Sequence, residues 1–83
     1  MAMIEVRFHN RAALRVQAQI FHGFQLLYSC VADPDEVCIM PAAVGRYDIF
    51  FKNSTTGKEL ARKLDHEATM LTLSREKGRF VVN

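Results

Sequence analysis

The fold class depends on one stretch, RAALRVQAQIFHGFQLLYSCV (residues 11–31), which fits both a helix and a hairpin. Helical spacing gathers its apolar residues on one side: Ala13, Val16, Ile20, Phe24, Leu27 and Val31. A loop at residues 21–23 would instead pair Ile20 with Phe24, Ala18 with Leu26 and Val16 with Tyr28. Helix formers fill the first half and strand formers the second. We therefore predict a helix over residues 11–22, capped by Asn10 and ended by Gly23, and then a strand over residues 24–31.

A second stretch, residues 53–71, carries the same ambiguity. Thr56 and Glu59 have the spacing of a capping box, which begins a helix. An apolar stripe with helical spacing follows: Leu60, Ala61, Leu64, Ala68 and Leu71. A hairpin turning at residues 54–57 would instead pair Phe51 with Leu60 and Lys52 with Glu59. We predict the helix.

In the remaining segments apolar and polar residues alternate with period two, which is typical of strands, and turn residues lie between these segments. Ile4, Val6 and Phe8 are predicted to face inward on a first strand. The turn at residues 33–35 joins the strand of residues 24–31 to one over residues 36–40, which Pro41 ends, and brings Cys30 near Cys38. The last residues predict a hairpin with its loop at residues 75–78, in which Leu73 faces Phe80 and Leu71 faces Val82.

These elements predict a single α+β domain over residues 1–83. Its mainly antiparallel sheet has five to six strands, with one or two helices on one face. The alternative is an all-β barrel in which residues 11–31 and 46–64 both form hairpins.

Composition narrows the class of protein. The 83 residues are 49% hydrophobic and 24% charged, with a net charge of +2, which is typical of a globular chain. Neither a signal peptide nor a membrane-spanning segment is visible, so we predict a cytoplasmic protein with no membrane partner. Two cysteines are too few for a disulfide scaffold. A disulfide between Cys30 and Cys38 is sterically possible, but a reducing compartment would keep it open, so the sequence leaves their pairing undecided.

No group of residues predicts catalysis. The three histidines and two cysteines lack the paired spacing of a metal site. Residues 65–67, DHE, would point in different directions on a helix, and residues 56–58, TGK, lack the rest of a phosphate-binding loop. We therefore predict a protein that is not an enzyme, without metal, cofactor or small-molecule substrate.

The strand RYDIFFK (residues 46–52) points to a protein partner. Tyr47, Ile49 and Phe51 share one face, and Asp48, Phe50 and Lys52 share the other. Phe50 would then lie on the side away from the core and need a cover. We predict a regulatory protein-binding module, forming a homodimer, with Phe50, Asp48 and Lys52 as its contact residues.

The alternative partner is a nucleic acid. The C-terminal half carries a surplus of basic side chains: Lys58, Arg62, Arg75, Lys77 and Arg79. A nucleic-acid-binding regulator would use such residues to neutralise phosphates.

Overall fold

The computed structural model describes residues 3–67 and 70–83, and these residues form eight strands and no helix. The strands are β1 (Met3–Asn10), β2 (Val16–His22), β3 (Gln25–Ala32), β4 (Val37–Ala43), β5 (Arg46–Asn53), β6 (Glu59–Glu67), β7 (Leu71–Glu76) and β8 (Arg79–Val82). The predicted α+β class is therefore wrong, and the chain is all-β.

The strands form two sheets of four. Sheet I has the order β4-β1-β7-β8, and sheet II has the order β3-β2-β5-β6. Neighbouring strands run antiparallel except β1 and β7, which run parallel. A bond between Cys30 of β3 and Cys38 of β4 joins one edge of each sheet, with 6.0 Å between the two Cα atoms.

The core lies between the two sheets. Phe8 from sheet I and Phe51 from sheet II meet there with 5.0 Å between their ring centres. The fully buried apolar side chains alternate along the strands, as the inner faces of packed sheets require: Val6, Phe8, Val16, Ala18, Ile20, Met40, Ala42, Ile49, Phe51, Leu71 and Leu73. The inward faces predicted for β1 and β5 are thereby confirmed.

The predicted helix over residues 11–22 is wrong because these residues also alternate with period two. Val16, Ala18 and Ile20 are buried, and the glutamines between them face outward. The stretch forms the β2–β3 hairpin, in which Ala18 lies opposite Cys30 rather than the expected Leu26. Glycine at position 23 occupies the hairpin turn with φ of 62°, not the end of a helix.

Asn10 does not cap a helix but lies fully buried at the junction of the two sheets. Its side-chain amide donates to the carbonyls of Leu14, at 2.7 Å, and Ala32, at 2.9 Å. Its Oδ1 accepts the Ala12 N–H at 2.9 Å. The side chain therefore satisfies two backbone groups of the β1–β2 connection and one at the end of β3.

The predicted helix after residue 56 is also wrong. Glu59–Glu67 forms β6, paired with β5. Lys52 lies opposite Glu59 as the hairpin alternative required, but Phe51 lies opposite Ala61 rather than Leu60. Asn53 begins the turn, its Oδ1 accepting the N–H groups of Thr55 and Thr56. Ala68, part of the predicted helical stripe, lies outside the described residues.

The terminal hairpin is confirmed, with a different register. Lys77 and Gly78 form a two-residue turn, both with positive φ, so that Leu73 lies opposite Val82 and Arg75 opposite Phe80. Pro41 does not end its strand, because β4 is an edge strand and its proline lies within the pairing with β1.

Candidate functional site

The outer face of sheet II carries the residues predicted to contact a partner. Asp48, Phe50 and Lys52 alternate with the buried Ile49 and Phe51, so all three project away from the core. The strand pairing adds neighbours on the same face: Gln17, Gln19 and Phe21 of β2, and Glu59 and Arg62 of β6.

Phe50 lies at the centre of this face and is half-buried by its own chain. Phe21 meets it edge-on, with 5.3 Å between ring centres and an angle of 88°. The Arg62 guanidinium lies 5.4 Å from the Phe50 ring centre, a cation–π distance. Glu59 holds that guanidinium by an ion pair of 2.7 Å. The cover expected for Phe50 is thus supplied in part by the side chains beside it.

An open cavity of about 310 Å³ lies beside Phe50. Its lining combines three phenyl rings with charged side chains: Phe21, Gly23, Phe24, Asp48, Phe50, Lys52 and Glu59. Phe24 is fully exposed, because the Gly23 turn holds it at the tip of the β2–β3 hairpin. Phe21, Phe24 and Phe50 are called the aromatic shelf below.

The charges beside the aromatic shelf have both signs. Lys52 and Glu59 lie opposite each other on β5 and β6. Asp48 has a structural contact as well, since its Oδ1 accepts the Asp65 N–H at 2.9 Å. Asp65 has a φ of 50°, and this bond holds the backbone where β6 departs from regular pairing. Asp48 therefore stabilises the backbone of β6 as well as lining the cavity.

Gln19 lies between Phe50 and Ser29 in the cross-strand register. Its Oε1 is buried and has no hydrogen-bond partner within residues 3–67 and 70–83. An amide in this position costs free energy unless a donor reaches it. Gln19 thus adds an unsatisfied acceptor next to the aromatic shelf.

The basic residues predicted to bind nucleic acid do not share one face. Arg62 lies on the outer face of sheet II, paired with Glu59. Arg75 lies opposite Phe80, whereas Arg79 lies opposite Glu76, so the two arginines occupy opposite faces of the β7–β8 hairpin. Lys77 is in the turn of that hairpin, and Lys58 is in the turn between β5 and β6.

The strand registers do bring both of those turns to the same end of the sandwich. Asn53 at the end of β5 pairs with Val16 at the start of β2, and Leu73 of β7 pairs with Asn10 at the end of β1. Because β1 and β2 are connected at this end of the sandwich, the β5–β6 turn and the β7–β8 turn lie there too. Acidic residues of the β3–β4 connection lie there too, and Asp33 forms an ion pair of 3.3 Å with Arg15. The charge at this end is therefore mixed.

Other chemistry is sparse in the part of the chain that the structure describes. No three of its His, Cys, Asp and Glu side chains lie close enough to hold a metal ion. Cys30 and Cys38 are bonded to each other, a pairing that the sequence leaves undecided. Over the same residues there is no helix of the length and apolar character needed to cross a membrane.

Comparison with protein families, with curated proteins and with solved structures finds no significant match to this chain.

Sequence reasoning missed the β2 half of the site. Phe24 was predicted to begin the strand over residues 24–31 and was given no role, and neither were Phe21 and Gln19. The signal that could have found them is the alternation of residues 16–21, VQAQIF, which places Gln17, Gln19 and Phe21 on one face of a strand.

Proposed function

We propose that this protein is a non-enzymatic regulatory module that binds other protein chains through the outer face of sheet II and forms a homodimer. The observation that carries the proposal is the full exposure of Phe24 at a cavity that Phe21 and Phe50 also line. A phenylalanine side chain left in water forgoes about 1.5–3 kcal/mol of burial free energy. A partner that covers Phe24 would supply it.

The surroundings of the aromatic shelf fit a protein partner. Protein interfaces combine an aromatic centre with a polar, solvent-accessible rim. Here the rings are flanked by Asp48, Lys52 and Glu59, which carry both signs of charge. A nucleic acid would require a surplus of positive charge on the same face, and a protein surface does not.

Site-specific photo-crosslinking tests this proposal. Benzoylphenylalanine in place of Phe24 is expected to give a discrete covalent adduct in the native host. The control is the same group in place of Val44, which is 65% exposed in the β4–β5 turn and outside the cavity lining. An adduct of twice the chain mass would identify a second copy as the partner.

Two further substitutions separate specific binding from surface stickiness. Lys52→Glu and, independently, Phe50→Asp should remove the adduct formed at position 24. Melting curves of both variants establish that they remain folded. Equal adducts from positions 24 and 44, or none from either, would contradict the proposal.

Nucleic-acid binding is the second candidate, favoured by one observation. Lys58 and Lys77 lie in turns at the same end of the sandwich. Fluorescence anisotropy with a single-stranded oligonucleotide, at about 50 and 200 mM salt, tests it, because released counterions make such binding strongly salt-dependent. Affinity that does not fall with salt, or survives Lys58→Glu/Lys77→Glu, would contradict it.

The bond between Cys30 and Cys38 bears on the cytoplasmic location predicted from the sequence. Cytosolic thiols are kept reduced, so the bond favours an oxidising compartment instead. Alkylation of free thiols in the native host, followed by mass spectrometry, distinguishes the two. Two alkylated cysteines would support the cytoplasm, and an unmodified pair would support the oxidising compartment.

A further inference from the structure

We infer that Asn53 is a site of N-linked glycosylation, with its side-chain nitrogen, Nδ2, as the acceptor atom. The acceptor motif is Asn53-Ser54-Thr55, an asparagine followed by a residue other than proline and then by a threonine. Asn10 does not match, because the residue two positions after it is Ala12. The inference does not depend on the protein partner proposed above, since it concerns a different part of the chain.

The motif lies at the surface, in the turn between β5 and β6. Thr55 is exposed, and Asn53 and Ser54 are half-buried. A glycan is bulky and hydrophilic, so its attachment point must reach solvent. Asn53 alternates with Lys52 along β5 and pairs with Val16 at the end of sheet II. The attachment point is therefore on a different side of β5 from the aromatic shelf.

The oxygen and the nitrogen of the Asn53 side chain have separate roles in the fold. Its Oδ1 accepts the N–H groups of Thr55, at 2.9 Å, and Thr56, at 3.2 Å. Its Nδ2 donates to no acceptor within residues 3–67 and 70–83 and is not buried, because the one buried side-chain atom without a partner in these residues is Gln19 Oε1. A sugar would replace one hydrogen of Nδ2 and leave both Oδ1 bonds in place. The folded turn can therefore carry the modification.

Thr55 supplies the hydroxyl group that the motif requires two positions after the asparagine. The side chain of Thr55 is exposed, and across the two described ranges its Oγ1 forms no hydrogen bond. The neighbouring Thr56 is engaged instead, since its Oγ1 accepts the Lys58 N–H at 3.2 Å. The two adjacent threonines thus differ in role, because Thr55 belongs to the motif and Thr56 stabilises the turn.

The bond between Cys30 and Cys38 is an independent observation that agrees with the motif. Disulfides form and persist in the oxidising compartments of the secretory route, and asparagine glycosylation is typical of the proteins that pass through them. The bond joins β3 to β4, whereas the motif lies between β5 and β6, so neither requires the other. Both favour the same compartment, in place of the cytoplasm predicted from the sequence.

The reaction transfers an oligosaccharide from a polyprenyl diphosphate carrier to Asn53. A bond forms between Nδ2 and the anomeric carbon of the first sugar, and the bond from that carbon to the diphosphate oxygen breaks. Nδ2 loses one proton, and the polyprenyl diphosphate leaves with the electron pair of the broken bond. Neither oxidant nor reductant is consumed. The carrier and the transferase belong to the host, and this chain contributes the acceptor.

Mass spectrometry of the protein purified from its native host tests the inference. Peptide N-glycosidase is expected to lower the intact mass by that of a glycan. The enzyme hydrolyses the side-chain amide, so digestion in heavy-oxygen water should place the isotope at position 53 and at no other position. An unmodified position 53 in the native protein would overturn the inference, whether Cys30 and Cys38 are found bonded or alkylated.

Variants of the two threonines separate the motif from the turn. Thr55→Ala removes the motif hydroxyl and is expected to abolish the glycan, while Thr55→Ser keeps the hydroxyl and the glycan. Thr56→Ala is the matched control, because it removes the bond to the Lys58 N–H and leaves the motif intact. Melting curves establish that all three remain folded. Equal loss of the glycan in Thr55→Ala and Thr56→Ala would overturn recognition through the motif, and the crosslink at position 24 would still test the partner surface.

Discussion

Replacing Asn10 with leucine should destabilise this fold more than any surface change, because its side chain closes the junction between the two sheets. The substitution keeps a similar volume but removes both amide hydrogens and the Oδ1 acceptor. The carbonyls of Leu14 and Ala32 and the N–H of Ala12 would then lose their partners. Asn10 is fully buried, so water cannot easily replace it.

The expected cost follows from the number of groups left unpaired. Each buried backbone group without a partner costs about 1–3 kcal/mol. Three such groups, one of them near the surface, give about 3–5 kcal/mol for Asn10→Leu. The free energy of unfolding of a chain this length is about 4–12 kcal/mol, so the variant would lose a large part of it.

Urea unfolding followed by far-ultraviolet circular dichroism measures the loss, since the chain has no tryptophan. Asn53→Leu is the matched control. It also removes an Oδ1 that accepts two backbone N–H groups, those of Thr55 and Thr56, but in an exposed turn where water can replace it. Its expected cost is about 1 kcal/mol or less. Equal midpoints for the two variants would refute the argument that burial of the Asn10 contacts stabilises the junction.

Three further predictions concern stability and use the same urea assay. Phe51→Ala should cost about 3–5 kcal/mol because the side chain is fully buried, whereas Phe24→Ala should cost almost nothing; equal costs would contradict the core assignment. Opening the bond between Cys30 and Cys38 by Ser substitution should cost about 2.5 kcal/mol, the entropy of the short loop that it closes over a separation of 8 residues. An unchanged midpoint after that substitution would show that the bond does not constrain the unfolded chain. Gly78→Ala should cost about 1–2 kcal/mol, because φ is 78° there while nothing lies within 4 Å of the added methyl group; a neutral result would mean that the turn relaxes.

The sequence predicts secondary structure best where its apolar residues fit the strand period and do not fit the helical period. Residues 4–8 alternate strictly and residues 46–52 alternate except at Phe50, and the structure has both as strands with the predicted faces inward. Residues 16–20 satisfy helical and strand spacing at once, because small or polar residues occupy the positions that would distinguish them. These residues form a strand because β2 pairs with β3 on one side and with β5 on the other. Local propensity does not reveal that pairing.

The same reason limited the prediction of the site. Phe50 was recognisable because Ile49 and Phe51 beside it must face the other way. Its neighbours Phe21 and Arg62 come from strands whose register depends on a bulge and on irregular pairing of β6. The capping-box pair shows how a local motif can mislead, since Thr56 Oγ1 accepts the Lys58 N–H within the turn, and Glu59 pairs with Arg62.

The two outer faces of the sandwich differ in the side chains that they carry, and this difference is why we propose sheet II as the partner surface. Both sheets have four strands and the same core between them, so the core alone does not distinguish their outer faces. On sheet I, the outward residues of β1 include Glu5 and Arg7, which form a solvent-exposed ion pair, and the outward residues of β7 include Thr72 and Ser74. The outward side of β4 adds the half-exposed Val37 and Ile39, so the outer face of sheet I is mixed. On sheet II the outward positions at the centre of the face hold the rings of Phe21 and Phe50, with the exposed Phe24 beside them, and the described residues of the outer face of sheet I have no such cluster of phenyl rings.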